Sequence, residues 1–284
     1  MPPLRTGLTS ADAQDDFLRA RRRQAVSRLA RFLTRERGDI DVILPFDEVV
    51  AALGRTGERD LGMHAIPLDS IVGTVDRRSG FDREFRPTTS RVRTRWERIA
   101  AVMRRGDPLP PISVYRIGEV HFVKDGHHRV SVARSLGLRD IDAFVTEVLT
   151  RIGADRALRL ADLPSKDYER LFSERVPLAP DARERIVLSD PYDYARLAEG
   201  VEAWGFRALQ DRAELLDRRE VARLWCEREY KPVVAMLREA GMVGDGTETD
   251  AYMRVSNERY RLLRTHEWSE DVLARLREAQ SSKP

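Results

Sequence analysis

Hydrophobic and polar positions along the chain predict three regions. Residues 10 to about 56 have helical apolar spacing, the next hundred residues mix strands with helices, and the chain beyond Thr150 is mainly helical. We therefore expect an α/β (α+β) protein with domain boundaries at 1–60, 61–150 and 151–284. The predicted flanking elements are an α-helix with an apolar side of Phe17, Leu29, Phe32 and Leu33, helices over 45–54, 191–205, 217–239 with a break near Pro232, 250–264 and 270–279, and a strand at 185–188.

The central region predicts a strand, a turn and a helix in close succession. Residues 112–117 and 120–123 alternate as two strands, and Gly118-Glu119 between them suits a two-residue hairpin. The second strand runs into Asp125-Gly126. Residues 127–136 lack Gly and Pro, and Gly137 is the type of residue that ends a helix. Asp125 or Gly126 should therefore be the residue that caps this helix.

The turn from Asp125 to Arg129 is the main candidate site. The first turn of a helix has unpaired N–H groups and a partial positive charge, so it attracts phosphate or carboxylate. We predict that Gly126, His127, His128 and Arg129 bind the phosphates of a cofactor, because glycine permits close approach and arginine matches phosphate oxygens. Asp125, His127 and His128 are the catalytic candidates. The alternative is an ordinary helix cap with solvated histidines.

Two further features bear on this site. The charged segment 75–87 either folds over a ligand or is a surface connection held by Phe81 and Phe85. In the first case Arg77 and Arg78 would add phosphate contacts, and Asp76, Asp82 or Glu84 would serve as second-choice acids or metal ligands. No resident metal site is predicted, because adjacent histidines do not face each other and His64, His121, His266 and Cys226 have no ligand spacing with them.

Residues 64 to 148 resemble the ParB/sulfiredoxin superfamily. The resemblance rests on Ile66-Pro67-Leu68-Asp69-Ser70-Ile71, a helix ending near Gly106, Leu109-Pro110-Pro111-Ile112-Ser113-Val114, the turn itself, and a closing strand over 141–148. It implies a turn that holds nucleotide phosphates. His127 stands where sulfiredoxins have their nucleophilic Cys, so repair of sulfinic acid is not expected. Of the Gly-Glu-Arg-Arg box of partition ParB proteins, only Gly126 and Arg129 match. The free-serine kinases carry a more similar Asp-Gly-His type of turn.

Composition and charge limit the classes of function. The chain has 284 residues, 42% hydrophobic and 34% charged, with no run near 18 apolar residues and no export-type start, so we expect no membrane contact. Its single cysteine suits a reducing cytoplasm, and the resemblance implies a bacterial-type protein. Its net charge of +3 hides an asymmetry, with 26 Lys and Arg against 19 Asp and Glu in residues 1–140. Arg91, Arg95 and Arg98 lie beside an apolar stripe of Val92, Trp96, Ile99 and Met103. This basic half either is a solvated face or meets nucleic acid.

Three functions stay open at this point. The first is a nucleotide-dependent phosphotransferase or NTPase, for example a small-molecule kinase, that uses ATP or ADP with Mg²⁺. The second is a nucleotide-gated, DNA-associated protein of chromosome-partitioning or regulatory type, in which DNA would bind through the basic N-terminal half. The nucleotide itself is expected to be ATP, ADP or CTP. The third, a ParB-like nuclease, is implied by the resemblance alone.

Overall fold

A computed structural model describes residues 9–34, 43–75, 80–212, 216–266 and 268–281. The chain divides into two compact units, Met1–Asp167 and Tyr168–Pro284, and each is described by itself. The side chains of Leu29, Phe32 and Leu33, predicted to form part of an apolar helix side, lie outside the described part of the chain.

The first unit is a mixed α/β structure built on a six-stranded sheet. Its strands follow the order β1-β3-β5-β4-β6-β2. The elements in chain order are α1 (Thr9–Thr34), β1 (Leu44–Pro45), α2 (Phe46–Leu53), β2 (Arg55–Pro67), β3 (Ile71–Thr74), α3 (Arg93–Arg105), β4 (Ile112–Ile117), β5 (Val120–Asp125), α4 (His127–Ser135) and β6 (Asp140–Thr150), with 3-10 turns at Leu68–Ser70, Ser90–Val92 and Leu160–Asp162. The predicted hairpin at residues 112–123, the helix ending at Gly106 and the closing strand are all confirmed.

The strand β2 is the longest strand of this sheet and was not among the predicted elements. It pairs antiparallel with β6, from Arg55 opposite Thr150 to Pro67 opposite Asp140. Nearly all of its residues are exposed or half-buried, so its sequence lacks the alternation that normally reveals a strand. Pairing with β6 therefore determines this strand more than its own apolar pattern does.

Helices α1 and α3 pack together beside α4. Trp96 is fully buried, its ring lies 5.5 Å from that of Phe17, and its Nε1 donates to Oγ of Ser131 at 2.8 Å. Arg104 and Asp16 add a buried ion pair of 2.6 Å between α3 and α1. The predicted apolar stripe of α3 thus faces the core, while Arg91, Arg95 and Arg98 are exposed.

The second unit is helical. Helix α5 (Leu163–Arg175) contains the boundary between the units, and α6 (Pro180–Arg183), α7 (Asp193–Arg212), α8 (Arg218–Trp225), α9 (Lys231–Glu239), α10 (Glu248–Leu263) and α11 (Glu270–Ser281) follow. Between α8 and α9 the chain makes a π-helical turn over Cys226–Tyr230. This turn lies just before Pro232, whose missing N–H removes one helical hydrogen bond, and it corresponds to the predicted break.

The prediction of a strand at 185–188 is wrong. Ile186 and Leu188 are buried and Val187 is exposed, so the alternation is real, but the described structure gives this segment no partner strand. Its carbonyl groups accept hydrogen bonds from side chains instead. Tyr194 bonds to the oxygen of Ile186, and Thr247 bonds to that of Val187. The alternation correctly indicated an extended segment, but side chains at the starts of α7 and α10, not a neighbouring strand, supply its hydrogen bonds.

Candidate functional site

The strand-turn-helix junction forms as predicted, with Gly126 as its capping residue. Gly126 has φ 105° in the left-handed region, and no side chain caps the first turn of α4. A Cβ atom at this position would lie 2.4 Å from Cγ2 of Ile112, so only glycine fits. Of the two capping residues considered from the sequence, Asp125 is not the cap. Its carboxylate accepts a hydrogen bond from Arg129 and does not cap the backbone N–H groups of the helix.

Arg129 is fixed beside this helix start by three acceptors. Its Nη2 donates to Oδ2 of Asp125 at 2.7 Å, and its Nη1 donates to the carbonyl oxygens of Pro110 and, at 2.8 Å, Pro111. The side chain is only 14% exposed, while that of Asp125 is 62% exposed. Because these contacts hold the guanidinium in place, it would lose little conformational entropy on binding a phosphate.

His127 is buried under the segment that follows β3. Its Nε2 lies 2.6 Å from Oγ1 of Thr74, and its ring lies 6.0 Å from the ring of Phe85. The Thr74 hydroxyl donates to the carbonyl oxygen of Val123 at 3.2 Å. A hydroxyl has one hydrogen, so with this bond made the imidazole Nε2–H is the donor to Thr74. No pattern near Thr74 predicted this contact, because Thr74 is 53 residues from His127.

His128 projects to another side of α4 and stays partly accessible. Its ring contacts Phe81 edge to face, with 5.2 Å between centroids. His127 and His128 are therefore brought to one helix turn but into different surroundings. Asp125 and His128 reach solvent, whereas His127 is 3% exposed.

Residues 80–88 pack over both histidines. Asp82 holds this segment together by accepting from the backbone N of Glu84 and from both the backbone N and Nε of Arg86. Phe81 and Phe85 are buried, and Phe85 has a left-handed φ of 57°. Both aromatic residues thus act as anchors, and Asp82 serves the fold of the segment. Arg77, Arg78 and Asp76 lie outside the described residues.

A cavity of about 820 Å³ lies beside the other end of α4. Arg134 lines this cavity and donates to the carbonyl oxygens of Leu68 and Ile71, while its guanidinium lies over Phe85 at 5.3 Å. Burial lowers the pKa of Arg134 from its ordinary value, and nearby carboxylates oppose that effect. The described lining includes Ser131 and Glu84 but none of the residues from Asp125 to Arg129. No residue pattern in the sequence predicted this cavity.

The described part of the chain contains neither a cluster of metal ligands nor a membrane-spanning helix. No group of three or more His, Cys, Asp or Glu side chains in this part of the chain is arranged to hold a metal ion. Among the described helices, none is both long enough and apolar enough to cross a membrane.

Comparisons with known proteins show a weak likeness to a solved structure. No family model matches the chain, and no curated protein matches it. Among solved structures, the chain is similar to sulfiredoxin from Arabidopsis thaliana, with 20% identity and a TM-score of 0.22, over 31% of this chain and 86% of that one. The mixed α/β class follows from the sheet and helices described above.

Proposed function

We propose that the turn from Gly126 to Arg129 binds the phosphates of a nucleotide, ATP, ADP or CTP, together with Mg²⁺. The observation that carries this proposal is the uncapped start of α4 beside an immobilised arginine. No side chain caps the helix, Gly126 adds no Cβ, and Arg129 is already held at its position. Backbone N–H groups, a helix dipole and a guanidinium would then act on one anion.

The activity we propose is phosphoryl transfer or nucleotide hydrolysis. When bound, Mg²⁺ would neutralise charge on the phosphates. The exposed carboxylate of Asp125 would hold this ion or act as the base for an acceptor hydroxyl or water. His128 is the second accessible candidate for that base. His127 is buried against Thr74, so in this arrangement it would orient the helix start, and it could act on an acceptor only if residues 80–88 moved.

Calorimetric titration of the full chain with ATP, ADP, CTP and GTP in Mg²⁺ tests the binding proposal. Arg129→Ala should weaken binding by about 1.5–3 kcal/mol, which is typical of a charged hydrogen bond. Arg105→Ala is the matched control, because Arg105 is an exposed arginine that pairs with Asp107 on the surface. Absence of binding with all four nucleotides, or full affinity in Arg129→Ala, would contradict the proposal.

A nucleotide-gated, DNA-associated function is the second candidate. The exposed Arg91, in the turn before α3, and the exposed Arg95 and Arg98 of α3 favour it, as do the exposed Arg22 and Arg23 of the neighbouring α1. Phosphate contacts by these side chains should make duplex binding fall steeply with salt. Binding that ignores the nucleotide, or is undetectable at low salt, would count against this function, and cleavage of the duplex would indicate a nuclease instead.

A further inference from the structure

The second unit contains a cavity of about 490 Å³ that none of the functions above uses. Helices α7 and α10 supply most of its lining, and Glu229 of the π-helical turn and His266 complete it. Its volume is within the usual range for small-molecule sites. π-Helical turns are also frequent at functional sites.

Arg259 is the central cation of this cavity. It is 4% exposed, and its guanidinium stacks on the ring of Trp268 at 3.8 Å. Its Nη2 lies 3.5 Å from Oε1 of Glu229, which is a long contact. That same oxygen accepts a short hydrogen bond of 2.7 Å from Nε1 of Trp268. The other two guanidinium nitrogens, Nε and Nη1, have no hydrogen-bond partner among the residues that the structure describes.

A buried guanidinium in this state is energetically unfavourable. Arginine carries five N–H donors, and leaving charged donors unsatisfied away from water costs more than leaving neutral ones. Burial accordingly lowers the pKa of Arg259 from its ordinary value, and Glu229 only partly opposes that effect. A second anion in the cavity would supply the missing acceptors.

The surroundings of Arg259 favour a ligand that is both anionic and partly apolar. Arg196 and Arg207 also line the cavity, so three arginines face two glutamates, Glu199 and Glu229. This leaves an excess of one positive charge. Trp204, Tyr252 and Tyr260 supply aromatic surface. Such a combination would hold an acidic group at one end and an apolar or aromatic body at the other.

We propose that this cavity binds a small organic acid, with its carboxylate or phosphate group on Arg259 and its apolar body against the aromatic lining. The site is independent of the phosphate-binding turn, which belongs to the first unit. Benzoate, phenyl phosphate and inorganic phosphate are suitable probes, and they separate the contribution of the anionic group from that of the ring. We expect benzoate or phenyl phosphate to bind at one site per chain, and more tightly than inorganic phosphate.

Isothermal titration of the full chain with each probe tests this proposal. Arg259→Met should weaken binding of the aromatic acids by about 10- to 100-fold. Arg261→Met is the matched control, since Arg261 is exposed on the same helix and does not line the cavity, and it should bind normally.

A second variant tests the cavity without removing a buried charge. Gly200 lines the cavity, and a Cβ at this position would meet no atom within 4 Å, so Gly200→Phe adds a ring at the cavity wall with no clash at its Cβ. It should weaken binding at least tenfold while the chain stays folded. Absence of binding by all probes at millimolar concentration, or equal affinity of Gly200→Phe and the parent, would overturn the proposal.

Discussion

The imidazole Nε2 of His127 lies 2.6 Å from the hydroxyl oxygen of Thr74. This contact joins the first residue of α4 to the last residue of β3. Strand β3 is parallel to β5, and β5 leads directly into the turn at Gly126. The position of the helix start therefore depends on two neighbouring strands, although only one of them precedes it in sequence.

Removing the Thr74 hydroxyl should destabilise the first unit. Thr74→Val would bury the His127 nitrogen without this partner, and we expect the free energy of unfolding to fall by about 1–3 kcal/mol. Urea denaturation measures this loss. Thr74→Ser retains the hydroxyl and should recover most of the stability. Equal stabilities for Thr74→Val and Thr74→Ser would mean that the contact contributes nothing.

The two histidines should respond differently to truncation. If His127 is the general base, His127→Ala should lower turnover by roughly 10²–10⁴ and leave nucleotide affinity within a few-fold. If it only positions the turn, affinity and thermal stability should fall together with turnover, because the side chain is buried. His128→Ala is the comparison, measured by steady-state kinetics and titration. Small, equal defects in both variants would move the role to Asp125 or to the 76–84 segment.

Substitution of Gly126 should be more damaging than that of another left-handed glycine. Gly126→Ala combines a φ of 105° with a contact of 2.4 Å to Ile112, and we expect a loss of about 3 kcal/mol or more, together with loss of nucleotide binding. Gly137→Ala has φ 74° and no atom within 4 Å of its new Cβ. It should cost only about 1–2 kcal/mol. Thermal and urea unfolding of the two variants would reveal any reversal of this order.

His121 should make the protein less stable in mild acid. Burial, assisted by Arg116 and Arg156, lowers its pKa from 6.5 to about 4, and its Nδ1 lies 2.8 Å from the Ser70 hydroxyl. The unfolded chain binds a proton near pH 6.5 and the folded chain only near pH 4. Stability is therefore complete above pH 6.5 and decreases as the pH falls to 4, by roughly 3 kcal/mol.

A variant that cannot titrate isolates this effect. The difference in unfolding free energy between pH 7 and pH 4 should be smaller in His121→Asn than in the parent by about that amount. If both chains lose the same stability over this range, His121 does not titrate as described.

The elements that were predicted correctly depend on signals from residues close together in the sequence. The hairpin at Gly118, the end of α3 at Gly106 and the turn at Gly126 each depend on a glycine whose left-handed φ the structure confirms. These residues act on their own neighbours in sequence, so a single chain is enough to read them. The catalytic and nucleotide-binding roles of the Asp125–Arg129 turn remain predictions.

Contacts between distant residues explain what was missed. Thr74 reaches His127 from 53 residues away, and nothing in its own sequence surroundings marks it as part of a site. Nearly all residues of strand β2 are exposed or half-buried, and the segment 185–188 alternates without joining a sheet. In each case the deciding partner lies elsewhere in the chain, where a pattern of apolar residues gives no information.

The π-helical turn at Cys226–Tyr230 determines which side of α9 faces the core. Trp225 and Tyr230 are five residues apart, and their buried rings lie 5.2 Å from each other. In an ordinary α-helix, residues five apart point about 140° away from each other. Deleting one residue from this turn would restore regular winding but rotate α9 by about 100°. Val233 and Leu237 would then leave the core, so the length of this segment matters as much as its composition.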